Sequence, residues 1–131
     1  KWDSVATAWI APNAAKVLNA AIKQHLIKLD MECQYKLNSG FTWDGSRFAS
    51  NLEARIAISC AAAQAADEGV AFTEDWELED GTIRTLSAAD MKAVATRLSK
   101  FMRNQQTIYR TLKQATKNVT SVVELEAIVW P

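Results

Sequence analysis

Only four glycines, two cysteines and one histidine occur among 131 residues, and these scarcities narrow the function and the fold. Four glycines are too few for a Gly-rich phosphate loop, and no nucleophile elbow is present. One histidine, with no cysteine at ligand spacing from it, makes no metal site. A chain of this length buries enough surface to fold without staples. Cys33 and Cys60 both fall in predicted helices and are expected as buried free thiols, with a single bridge between the helices as the alternative. Charge of one sign is missing as well. Fifteen basic and fifteen acidic residues cancel, which leaves no electrostatic footprint for nucleic acid or an anionic membrane surface. No run approaches the ~20 apolar residues of a membrane span, and no secretory signal is visible. The chain begins at Lys1 rather than methionine, so it is expected to be a fragment or to lack its natural beginning.

What the sequence does contain is Asp-Gly twice, each time between apolar runs: FTWDGSRF at 41–48 and DWELEDGTIRTL at 75–86. Asp-Gly supplies the positive φ angles of a type I′ turn, so both segments are predicted as tight hairpins. Each is followed by a serine three residues ahead of an acid, Ser50 with Glu53 and Ser87 with Asp90. These are capping-box signatures that open helices. Four helices are expected: about 13–37, ended by Asn38, Ser39 and Gly40; about 51–68, ended by Gly69; about 88–115; and a short one at 122–127 opened by Ser121 and Glu124. The first and third are long, the first making a rod of roughly 38 Å. The class is therefore α+β, mainly α, with about four helices and two short hairpins in one compact domain.

Helical periodicity selects the apolar stripes. In the first helix these are Leu18, Ile22, His25, Leu26, Leu29, Cys33 and Leu37; in the alanine-rich second, Leu52, Ile56, Cys60 and Ala63. In the third they run Met91, Val94, Ala95, Leu98, Phe101, Met102, Ile108, Tyr109 and Leu112. Gln105 and Gln106 interrupt that last stripe, which fits either solvent exposure or register-setting in an oligomeric coiled coil. His25 reads as a satisfied packing residue. In the acidic run Glu74 to Asp80, Asp75, Glu77 and Glu79 share one face of a strand and Trp76 and Leu78 the other, the alternation of a half-buried strand with a solvated face. No catalytic, cofactor-binding or metal-binding residue is assigned, and no cofactor is expected. Residues 1–12 show no clear period and read as an extended arm whose Trp2 and Trp9 dock on a surface. Trp76 and Trp130 are expected in the core. The long stripes exceed what the other elements can cover, so Trp2, Trp9, Ile108 and Leu112 are the interface candidates and a homo-oligomer is expected.

The ordered set Gly40-Phe41, Trp43-Asp44-Gly45 and Phe48, an alanine-rich helix, Trp76 before Asp80-Gly81-Thr82, Leu86-Ser87-Ala88-Ala89-Asp90-Met91, Leu112-Lys113, and Glu124-Leu125-Glu126-Ala127-Ile128 with Trp130 resembles a small domain of tailed-bacteriophage tail and tail fibre proteins. The Trp130-Pro131 ending is also similar to the end of tail fibre assembly proteins. The likeness covers 38–131, whereas 1–37, the arm and first helix, match no such pattern and would be an attachment segment. The resemblance implies a non-enzymatic structural or assembly component of a tail or tail fibre that acts by protein–protein binding. Its partners would be other phage tail or fibre proteins and further copies of itself, a trimer being favoured. Neither nucleic acid nor membrane insertion is implied. Its place would be the virion tail, and the host cytoplasm during assembly. A dissociable fibre-assembly chaperone is the alternative; a cell-envelope hydrolase would need a catalytic constellation that these residues do not supply.

Overall fold

A computed structural model describes residues 2–131, with side chains from Asn13 onward. The elements in chain order are helix α1 (Trp2–Leu37), strands β1 (Phe41–Trp43) and β2 (Ser46–Phe48), helix α2 (Leu52–Glu68), a 3-10 turn (Gly69–Ala71), strands β3 (Thr73–Glu77) and β4 (Ile83–Ser87), and helices α3 (Ala88–Lys117) and α4 (Val122–Glu126). The fold is α+β, mainly α, with two separate two-stranded antiparallel sheets. Helix α1 begins at Trp2, so the stretch expected as an extended arm is helical. The side chains of Trp2 and Trp9 lie outside the described residues.

The two Asp-Gly turns differ. In the first hairpin Trp43 pairs with Ser46, and Asp44 and Gly45 have φ of 47° and 74°. That is the expected two-residue loop with positive φ at both positions. In the second, pairing ends at Glu77 with Ile83, and the loop closes through Leu78 N–H to the Thr82 carbonyl (2.7 Å) and Gly81 N–H to the Leu78 carbonyl (2.9 Å). Of its residues only Gly81 has positive φ, at 87°. This is a type I turn followed by a glycine bulge, and the predicted type I′ turn is corrected. The Asp80 side chain supplies the reason. Its Oδ1 accepts from the Thr82 N–H at 3.0 Å and the Thr82 hydroxyl at 2.7 Å, an Asx-type arrangement that competes with the primed turn. The same two donors hold the Asp80 carboxyl below its ordinary value.

The helix starts divide the same way. Ser87 and Asp90 form the reciprocal box, Asp90 N–H to the Ser87 hydroxyl and Ser87 N–H to the Asp90 carboxylate. The Ser121 hydroxyl caps α4 by accepting from Glu124 N–H. At α2, however, Asn51 is the cap and accepts from Ala54 N–H at 2.9 Å. Ser50, the expected cap, is fully buried instead. It accepts from Gly40 N–H at 2.8 Å and donates to the Leu37 carbonyl at 2.6 Å, tying the end of α1 to the start of the first hairpin.

The chain divides into two compact units, one made of residues 1–33 and 107–131, the other of residues 34–106. In the first unit Leu29, Cys33, Leu125 and Thr116 are buried, and Leu18, Ile22, His25 and Leu26 are half-buried, so the stripe predicted for α1 is the one that faces inward. The His25 ring donates from Nε2 to the Ile128 carbonyl at 2.8 Å, so Nε2 carries a proton. The Tyr109 hydroxyl meets Asp30 Oδ1 at 3.4 Å. Burial, with the Asp30 charge adding to it, raises both the Cys33 thiol and the Tyr109 phenol above their ordinary values. The second unit has the larger core: Phe41, Phe48, Ile58, Ala61, Ala65, Phe72, Leu86, Met91, Val94 and Leu98, with Trp43 and Trp76 packed at its margin. Phe41 stacks on Phe48 and Phe101 with centroids 5.5 and 6.1 Å apart. On its surface Arg84 lies 4.8 Å above the Trp43 ring and pairs with Asp44 at 2.5 Å, locking one hairpin to the other.

Candidate functional site

Helix α2 buries a different face from the one its periodicity announces. Ile58, Ala61 and Ala65 point into the core, while Leu52 and Ile56 are 63% and 56% exposed and Cys60 is an exposed free thiol rather than a buried one. The reason is size. Alanines on the inner face let α2 approach the sheets and α3 closely, and that contact outweighs the burial of two larger side chains on the other side.

Leu52, Ile56 and Cys60, spaced by four residues, form one wall of a groove within the second unit. The α3 residues Ala95, Leu98, Ser99, Met102 and Gln106 form the other wall and the floor. The groove has a volume of about 560 Å³. Arg55 and Arg103 stand on it. Arg55 donates to the Ser50 carbonyl at 3.0 Å and to Asn38 Oδ1 at 3.3 Å, and Arg103 donates to the Ser99 hydroxyl at 3.4 Å, so both guanidinium groups are anchored. An apolar trough between two helices with fixed cationic groups suits an amphipathic segment carrying carboxylates beside its apolar anchors.

The other sequence-stated candidates lie elsewhere. Ile108 and Leu112 are half-buried in the first unit, Gln106 is exposed, and Gln105 is half-buried with its Oε1 lacking a hydrogen bond. Asp75 and Glu77 are exposed and Trp76 is half-buried, as alternation in β3 requires, and past the strand end Leu78 is half-buried and Glu79 exposed. Trp130 is half-buried and lines a small pocket with His25, Leu29 and Ile128. Among the described residues no group of three or more histidine, cysteine or carboxylate side chains converges at metal-binding distance, and no helix is long and apolar enough to cross a membrane. The groove itself escaped the sequence reading. Its signal was the register of Ile58, Ala61 and Ala65, which competes with that of Leu52, Ile56 and Cys60 but carries almost no hydrophobic contrast.

No curated protein and no solved structure matches the chain. A family model described as a domain of unknown function, DUF4376, matches residues 20–129, a span that begins within α1 and takes in both hairpins, the groove and α4. With most of its length inside that match, the chain belongs to the DUF4376 family.

Proposed function

We propose that this chain is a non-enzymatic structural or assembly component of a bacteriophage tail or tail fibre, working in the virion tail and, during assembly, in the host cytoplasm. Its groove between α2 and α3 would receive an amphipathic helix of another tail protein. The observation that carries the binding reading is the exposed Leu52 and Ile56 on the wall of the groove. Exposed branched aliphatic side chains lining a concavity mark an interaction surface more strongly than the same residues scattered singly. The tail assignment is supported by the likeness of residues 38–131 to tail proteins.

The experiment is mass spectrometry of purified virions of the encoding phage, with wild type and Ile56→Glu compared. Peptides of the chain in mature particles, with their amount reduced at least tenfold by the charge placed in the groove, are the expected result. Peptides found in infected cells and missing from particles would identify a dissociable assembly chaperone instead. Unchanged incorporation of Ile56→Glu would refute the groove as the contact.

A further inference from the structure

Helix α1 is apolar on two opposite sides. At 3.6 residues per turn, Leu18, Ile22, Leu26, Leu29 and Cys33 fall on the inward side, and Val17, Ile27, Met31 and Tyr35 on the other, where they are 60%, 54%, 66% and 72% exposed. The outward positions 17, 20, 24, 27, 31 and 34 alternate steps of three and four, the spacing of a coiled-coil seam, and are occupied by Val17, Ala20, Gln24, Ile27, Met31 and Gln34. A solvated helix face would carry charge along this line. Here the charged residues Lys16, Lys23, Lys28 and Asp30 flank the seam instead.

We propose that this seam packs against the same seam of a second copy, antiparallel, to make a two-fold dimer. The inference does not rest on the tail assignment or on the groove. The four large side chains expose ~500 Å² per copy, so covering them on both copies reaches ~1,000 Å², the lower bound for a biological interface. Charge decides the direction. In a parallel pair the flanking positions set Lys23 beside Lys28 of the second copy, twice over. An antiparallel pair centred between residues 25 and 26 sets Lys23 beside Asp30 of the second copy, twice over, and stacks Ala20 on Met31, Gln24 on Ile27 and Val17 on Gln34. Ala20 against Met31 sets a small side chain against a large one in the two outer of the central layers. Two-fold symmetry closes the assembly at two chains, which departs from the trimer that the family resemblance implies.

Light scattering on the full chain at micromolar concentration tests the mass, and twice the 14.5 kDa chain mass is expected. Ile27→Glu with Met31→Glu, both on the exposed side, should return the mass to one chain with the circular dichroism spectrum unchanged. Cross-linking tests the direction. On a Cys60→Ser background, Ala20→Cys with Met31→Cys should yield a covalent dimer on mild oxidation, and Ala20→Cys alone should not. A monomeric or trimeric wild type, a dimer that survives the two glutamates, cross-linking by Ala20→Cys alone, or no cross-link from the double variant would each overturn the proposal.

Discussion

Removing one hydroxyl, in Ser50→Ala, is expected to destabilise the second unit more than removing a helix cap next to it. Ser50 is completely buried, and its oxygen holds two backbone groups at once, the Gly40 N–H at 2.8 Å and the Leu37 carbonyl at 2.6 Å. Alanine fills nearly the same space, so no cavity term of consequence enters. The loss comes from two hydrogen bonds and from leaving a buried donor and a buried acceptor without partners, at about 1 to 3 kcal/mol for each stranded group. With some relaxation, a total of ~2–4 kcal/mol is expected, a large share of the ~7–20 kcal/mol that a chain of this length commands. Asn51→Ala removes the α2 cap in an exposed setting and should cost ~1 kcal/mol, because water replaces the lost acceptor. Urea unfolding of the two variants against the parent, followed by circular dichroism, gives both differences at constant slope. A Ser50→Ala variant no less stable than Asn51→Ala would refute the assignment of Ser50 as a buried bridge.

Two further outcomes are expected. Gly40→Ala should lower the melting temperature more than Gly45→Ala: both have positive φ, a cost of about 1 to 2 kcal/mol for alanine, but a methyl at Gly40 would also stand 2.9 Å from the Phe48 carbonyl oxygen, whereas at Gly45 it meets nothing within 4 Å. Equal shifts would show that the neighbours of Gly40 yield freely. Alkylation of the native chain should modify Cys60 quickly and leave Cys33 intact until unfolding, as mass spectrometry of the labelled peptides would show. Since the folded state raises the Cys33 thiol, its contribution to stability is complete below the ordinary thiol value of 9.0 and is lost as pH climbs past it. Rapid labelling of Cys33 at neutral pH would contradict its burial.

The elements with strong local chemistry were legible in the sequence. Asp44-Gly45 demands a particular turn and received it, Ser87 with Asp90 capped α3, and the long stripe of α1 named its inward face. Legibility failed where one residue type serves two ends. Asp80 precedes a glycine just as Asp44 does, yet its carboxylate bonds Thr82 and converts the turn into a longer one. Ser50 precedes a helix as a cap would, but the neighbouring Asn51 takes that place and frees the hydroxyl for the core. Alanine was the main source of error: it adds little to a hydrophobic pattern while permitting the closest packing, so the inner face of α2 was silent and the groove on its outer side went unread. The apolar outer face of α1 was likewise hidden behind the more conspicuous stripe on its other side.

The first unit is discontinuous in sequence, and this orders events during synthesis. Residues 34–106 complete the second unit within a single continuous stretch, but the first unit joins residues 1–33 to residues 107–131. His25 waits for a carbonyl 103 positions downstream. At a translation speed of about 5–20 residues per second, that interval lasts roughly 5 to 20 s. Throughout it Leu18, Leu26 and Leu29 lack their native cover, so the nascent chain offers the ribosome-side folding machinery, and any neighbouring chain on the same polysome, an apolar helix face that the finished fold turns inward.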